Sequence, residues 1–176
     1  LAGLGTLDVA ALLHREVDAS LVFVDISGFT ALTERLARKG KVGAELMRDT
    51  LDGVFTALLD EAYDWGAGLL KWGGDALLLM FDGPEHPQRA ARAAWEMQNT
   101  IDRVGRLHLT GGTIILRMSV GIGTGQYHFF MTGSVHRELL IAGPAMTAMD
   151  ATAHQLFKPA LYIEAVLGSR TQLAGR

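Results

Sequence analysis

The chain has 176 residues, 49% of them hydrophobic and 20% charged, with a net charge of -3. That suits one globular domain with a sizeable core, and it carries no basic excess of the kind a nucleic-acid surface needs. With no cysteine, disulfides, thiolate metal sites and cysteine nucleophiles are excluded.

Residues 1–19 read as a mixed lead-in, in which Asp8 is placed to cap a short helix over Val9–His14. Ser20–Ile26 (SLVFVDI) is a Val-rich apolar run and reads as a buried strand. After Ser27 and Gly28 a polar helix runs towards Gly40, which suits a helix stop. From Val42 to Trp65 the residues Met47, Leu51, Val54, Phe55, Leu58, Leu59 and Ala62 fall at helical spacing. Leu69–Trp72 and Ala76–Phe81 read as strands joined by a tight turn at Gly73-Gly74. Gln88–Val104 reads as a helix with Ala91, Ala94, Trp95, Gln98 and Ile101 on one side. Thr113–Ile122 alternates as a strand, with Ile114, Leu116, Met118, Val120 and Ile122 inward. Tyr127–Met131 and Glu138–Ala142 are shorter strands, Pro144–Phe157 a helix and Ala160–Val166 a last strand. This order implies an α+β domain, one antiparallel-rich sheet with helices packed on it. No apolar run reaches the ~18 residues of a membrane helix. The chain begins at Leu1 with no signal-peptide pattern. It reads as a domain cut from something longer, over residues 20–176, with a cytoplasmic location as the default.

Two acidic residues stand in apolar company. Asp25 ends the first strand and Asp75 follows the glycine pair. Unpaired burial of a carboxylate is costly. On neighbouring strands, ~5 Å apart, the two would share hard cations, since magnesium is commonly held by one or two carboxylates plus substrate phosphates. The alternative for each Asp alone is a turn or helix cap. Ser27-Gly28-Phe29-Thr30 lies at a strand-to-helix junction, where free N–H groups attract phosphate. Its alternative is an ordinary Ser27 cap. Lys71 sits in a strand, either solvated at an edge or holding an acceptor. Arg35, Arg38, Lys39 and Lys41 read as a solvated basic face complementing a helix dipole. His128, His136 and His154 have no zinc-like spacing, and neither a G-x-S-x-G elbow nor a G-x-x-x-x-G-K loop is present.

Together FVDISGFT (Phe23–Thr30), KWGGD (Lys71–Asp75), VGIGTG (Val120–Gly125) and RELLIAGPAMTAMD (Arg137–Asp150) resemble the class III adenylate and guanylate cyclase domains over roughly Ser20 to Val166. The resemblance implies a ferredoxin-like α+β fold. It implies two Mg²⁺ or Mn²⁺ ions on Asp25, Asp75 and the Ile26 carbonyl, and a triphosphate on the backbone of Ser27, Gly28, Phe29 and Thr30. Lys71 matches the lysine that reads adenine, a place where guanylate cyclases usually carry an acidic residue. The implied reaction is attack of the ribose 3′ oxygen on the α-phosphate of ATP, giving cyclic AMP and pyrophosphate, in a head-to-tail homodimer with shared sites. Three positions depart from the family when the pattern is anchored on Gly143. Leu140 stands at the base-reading aspartate, Thr147 at the ribose-orienting asparagine and Ala151 at the transition-state arginine. Gly123 replaces a common histidine, and the phosphate-gripping lysine usual near the C-terminus is not evident, Lys158 being a poor substitute for it. These departures open a second reading, a domain that binds nucleotide or dimerises to regulate an attached domain without turning over. A diguanylate cyclase, suggested by Gly73-Gly74-Asp75, ranks below both because Ala76 stands where an acidic residue would follow.

Overall fold

The computed structural model describes residues 13–109, 112–132, 138–144 and 146. In chain order the elements are β1 (Leu13–Ser27), α1 (Phe29–Ala37), α2 (Gly40–Asp64), β2 (Gly68–Gly73), β3 (Ala76–Asp82), α3 (His86–Val104), β4 (Arg106–Leu109), β5 (Gly112–Ile115), β6 (Arg117–Thr132) and β7 (Glu138–Ala142). Five strands form one sheet in the order β2-β3-β1-β6-β7, and β4 and β5 form a separate hairpin. Every pairing in the five-stranded sheet is antiparallel. The expected α+β architecture, an antiparallel sheet with helices packed on it, is what the chain adopts.

β1 is central because both its faces are apolar. Val22, Val24 and Ile26 join Leu77, Leu79, Phe81, Val120 and Ile122 on the face covered by the three helices, against Leu32, Phe55, Leu58, Ala94 and Met97. Ala19 and Leu21 face the other way, with Leu78, Tyr127 and the half-buried Phe23, Phe129 and Ile141. A strand buried on both sides reads as a continuous apolar run rather than an alternation. Leu58 has no exposed surface, so truncating it to alanine costs about 2–5 kcal/mol.

α3 is tied to the central strands by a buried polar cluster. The Ser20 hydroxyl lies 2.9 Å from His86 Nδ1 and 2.7 Å from the Thr124 hydroxyl. His86 is the first residue of α3, and Pro87 follows it where a missing N–H costs nothing.

Several elements depart from the sequence reading. β1 begins at Leu13, so Leu13 and His14 are strand rather than the end of a helix; Asp8–Leu12 lie outside the described residues. Thr113–Ile122 is divided between β5 and β6, and β6 runs on through Tyr127–Met131 as one strand of 16 residues. Gly121, Gly123 and Gly125 do not break it. They stand opposite Phe23, Leu21 and Ala19. The pause between the first two helices falls at Arg38-Lys39, and Gly40, at φ 59°, opens α2. Trp95 is 51% exposed and belongs to the outer side of α3. Of the basic residues read as a solvated face, Arg38, Lys39 and Lys41 are exposed, while Arg35 is half-buried, its Nη1 without a hydrogen-bond partner among the described residues. Among the described residues no helix is long and apolar enough to cross a membrane. The helix read over Pro144–Phe157 lies largely, and the strand over Ala160–Val166 wholly, outside the described residues.

Candidate functional site

Asp25 lies two residues before the end of β1, where the chain turns into α1. In the sheet it stands opposite Ala76 on β3 and Ser119 on β6. Asp75 immediately precedes Ala76, in the turn between β2 and β3. The Ile26 N–H donates to the Asp75 carbonyl at 3.0 Å and fastens that turn to the end of β1. The two carboxylates are thus brought together at one end of the sheet. Both are half-buried and neither forms an ion pair among the described residues. Burial, and then the negative charge of Asp75, raise the Asp25 pKa above the ordinary 3.8. Asp25, its ionisation opposed by burial and then by the neighbouring Asp75, stands with that second carboxylate and no cation from the chain, and such oxygen ligands fit a hard divalent metal. Among the described residues no group of three or more His, Asp or Glu comes together. The His14–His128 pair, at 3.1 Å, is two residues only. The site therefore fits a cation completed by the oxygens of a ligand and not one caged by protein.

The turn differs in detail from the sequence reading. Gly73 pairs with Ala76, so the two-residue loop is Gly74-Asp75 and not Gly73-Gly74. Gly74 takes φ 69° as the first loop residue, where a II′ hairpin needs glycine. Asp75 itself therefore occupies the tip.

The strand-to-helix junction is bare of caps. Gly28, not Ser27, is the N-cap of α1, at φ 96°, and no side chain caps the helix. The Ser27 hydroxyl instead reaches the Arg117 carbonyl at 3.5 Å. The first helix bond runs from the Leu32 N–H to the Gly28 carbonyl at 3.2 Å. The N–H groups of Phe29 and Thr30 are thus left without helix partners, a ready cradle for anionic oxygen beside the carboxylate pair. Glycine is required at 28 for a second reason. A Cβ there would lie 2.7 Å from the Ile115 carbonyl oxygen. Ile26 is 2% exposed with its side chain in the helix-side core, so only its backbone is open to the site.

Lys71 lies on edge strand β2 opposite Leu78, after a bulge between Leu69 and Lys71. Leu78 also faces Phe23, so Lys71 shares the sheet face of Asp25, two strands across and two residues along, about 12 Å away by strand spacing. It is exposed and makes no ion pair among the described residues. Leu140 does not join it. Leu140, on β7, pairs with Phe130 of β6, at the opposite edge and on the opposite face of the sheet, and is 51% exposed. The unshifted register of β6 and β7 fixes that placement. Thr147, Ala151 and Lys158 lie outside the described residues.

Known structures share this fold. The adenylyl cyclase CyaB from P. aeruginosa superposes with a TM-score of 0.67 over 81% of this chain and 74% of that one, at 21% identity. This is the fold of the class III nucleotidyl cyclase catalytic domains. The non-canonical dimeric guanylyl cyclase domain of the RhoGC fusion protein from Blastocladiella emersonii has the same fold, with a TM-score of 0.60, 22% identity, and coverage of 78% of this chain and 74% of that one. So does the guanylate cyclase domain of RhGC from Catenaria anguillulae in complex with GTP, at 0.59 and 23%, over 77% and 72%. In sequence, adenylate cyclase type 10 of Rattus norvegicus is 39% identical over 66 residues, 36% of this chain. Its human counterpart is 28% identical over 142 residues, 73% of this chain. The chain spans only 4% and 8% of the lengths of those two proteins. No family model matches the chain.

Within the cyclase fold, two contributors to the site escaped the sequence reading. One is the capping role of Gly28, which a glycine directly before a helical run signals. The other is Trp72, whose indole N–H donates to the Gly74 carbonyl at 3.1 Å.

Proposed function

We propose that this domain binds ATP with two divalent cations, Mg²⁺ or Mn²⁺, and converts it to cyclic AMP and pyrophosphate. The observation that carries the reading is the meeting of Asp25 and Asp75 beside an uncapped helix start. Asp25, Asp75 and the Ile26 carbonyl would hold the cations. Bound there, the metals would supply charge for the triphosphate and lower the pKa of the attacking hydroxyl. The Phe29 and Thr30 N–H groups orient the phosphates, and the ammonium of Lys71 offers a donor to the adenine ring. In the reaction the ribose 3′ oxygen bonds to the α-phosphorus as its bond to the bridging oxygen breaks. Pyrophosphate leaves and the hydroxyl proton passes to water. The relatives named adenylate cyclase and the GTP complex of the Catenaria domain support a nucleoside triphosphate as the ligand. Lys71 favours ATP.

Ala151 stands where the resemblance places a transition-state arginine, and alanine supplies no charge. Loss of one such donor typically lowers the rate by about 10²–10³, so turnover is expected to be slow. The same residue supports the second reading, a domain that binds nucleotide and metal and regulates an attached domain without catalysis. Incubation with ATP and Mn²⁺ separates the two. Cyclic AMP that disappears in Asp25→Ala supports the enzyme. Nucleotide binding with no product supports the regulator, and no binding at all overturns both.

The assembly we propose is a head-to-tail homodimer, with metal residues from one copy and Lys71 from the other. The non-canonical dimer of the Blastocladiella domain supports self-association of this fold, and the head-to-tail arrangement rests on the resemblance. Mixing Asp25→Ala with Lys71→Ala chains should then restore activity through one rebuilt site. Dimers that remain inactive when mixed count against a shared site.

A further inference from the structure

The β2–β3 turn that carries Asp75 has little to hold it. β2 is an edge strand. Gly73 and Gly74 are exposed, and a Cβ on either would meet nothing within 4 Å. Such a turn would ordinarily fray and take its carboxylate with it. Two hydrogen bonds prevent this. The Ile26 N–H holds the Asp75 carbonyl at 3.0 Å, and the Trp72 indole N–H holds the Gly74 carbonyl at 3.1 Å. Those two carbonyls belong to the two peptide planes that flank the Asp75 Cα. Peptide planes are rigid, so fixing both fixes φ and ψ of Asp75 and hence the direction of its Cβ. The Trp72 ring is itself located. It pairs across the strand with Leu77 and packs against Phe55 of α2, ring centres 4.6 Å apart. Yet it remains 46% exposed, so burial alone does not account for an indole there.

We infer that Trp72 is the positioning residue for Asp75, transmitting the fixed location of α2 through Phe55 to the metal-binding carboxylate. This rests on the metal reading of Asp25 and Asp75 given above. Trp72 touches neither nucleotide nor cation in this role. It acts only through the Gly74–Asp75 peptide.

The test is Trp72→Phe, which keeps an aromatic ring on Phe55 and deletes the N–H. Two readouts are taken without reference to turnover. Hydrogen exchange of the metal-free protein reports the turn: exchange at Gly74–Leu77 should rise, while β1 and α2 stay as protected as in the parent. Mn²⁺ binding in the presence of a non-hydrolysable ATP analogue, followed by the electron paramagnetic resonance of free Mn²⁺, should weaken roughly two- to tenfold, the worth of one hydrogen bond. A merely structural role would lower the melting temperature and the bound stoichiometry while leaving the dissociation constant of the folded fraction unchanged. Unchanged exchange at the turn overturns the brace. Faster exchange with unchanged Mn²⁺ affinity overturns the positioning role. Asp75→Asn and Asp25→Asn are the controls for the underlying reading. If the parent binds no Mn²⁺, or binds it equally well with either Asp replaced, the metal reading itself falls, whatever Trp72 does to the turn.

Discussion

Gly28→Ala tests whether the junction that follows Asp25 is as tightly built as the structure shows. Two costs are separable there. At φ 96° an alanine is in the left-handed region, which costs roughly 1–2 kcal/mol. Its Cβ would also approach the Ile115 carbonyl oxygen to 2.7 Å. Both partners are backbone, so relief requires α1 and β5 to move apart, and overpacking of this kind costs about 1–3 kcal/mol more. Gly40 supplies the internal control. It too has a positive φ, of 59°, but a Cβ there meets nothing within 4 Å, so Gly40→Ala carries the conformational cost alone. Urea unfolding of both variants should therefore place Gly28→Ala lower by about 1–3 kcal/mol, on the order of 1 M in midpoint. Nucleotide binding should fall in Gly28→Ala and not in Gly40→Ala, because only the former displaces the Phe29 and Thr30 N–H groups. Equal midpoints for the two variants would refute the close approach, and with it the account of why glycine stands at 28.

Asp25 gives a pH signature in metal-free protein. Its folded pKa is raised above 3.8, so the native state binds the extra proton, and stability falls as pH rises from about the unfolded value through the raised one. Asp25→Asn should remove that decline and melt higher than the parent at neutral pH, an advantage that saturating Mn²⁺ reverses; thermal melts from pH 3 to 8 with and without the metal check it. Lys71→Glu should weaken ATP relative to GTP in competition binding, and an unchanged ratio removes Lys71 from base recognition. Ser20→Ala leaves His86 and Thr124 without their shared partner in the core, at a cost of about 1–3 kcal/mol in urea unfolding. The Tyr127 phenol, pushed up to about 12 mainly by burial with the Leu21 backbone opposing, has no hydrogen-bond partner of good geometry among the described residues. Tyr127→Phe should therefore be neutral or slightly stabilising, and a loss above about 1 kcal/mol would show that the hydroxyl is satisfied.

What the sequence displayed follows from where each face of an element ends up. The Ser20–Ile26 run was legible because both of its faces are buried. Its extension to Leu13 was not, because His14, Arg15, Glu16 and Asp18 are exposed at that end, joined to β6 by backbone pairing and by the His14 ring against His128 and Phe130. The glycines of VGIGTG look like punctuation, yet they lie opposite Phe23, Leu21 and Ala19 in an unbroken strand, where the bulk comes from the partner. Arg35 looked fully solvated because charge predicts exposure, but its Nη1 is buried close to the β4–β5 hairpin, where a Cβ on Gly112 would lie 3.4 Å from it. At the site, Asp25 and Asp75 were legible as charges amid apolar residues. The bracing indole was not, because its partner is a backbone carbonyl that residue types do not announce, and the capping glycine was signalled only by its place directly before a helical run.

The two halves of the cyclase pattern differ in how they are built. Asp25, Asp75 and the helix start are held by strand register, by the Ile26–Asp75 bond and by a glycine that a Cβ would drive into β5. These constraints are in place before any ligand arrives. They leave Asp25 half-buried beside a second carboxylate, and its raised pKa records the burial first and that neighbour second. An asparagine at either position would relieve that repulsion with almost no change of shape, so the apo fold gains nothing from keeping both acids. A divalent cation reverses the sign of the interaction and is the simplest group that turns the pair from a liability into a source of stability. Alanine at 151 bears on the rate of a reaction and leaves this balance untouched. Metal and nucleotide affinity are therefore expected to survive where turnover is slow, and to be lost together only when one of the two carboxylates is removed.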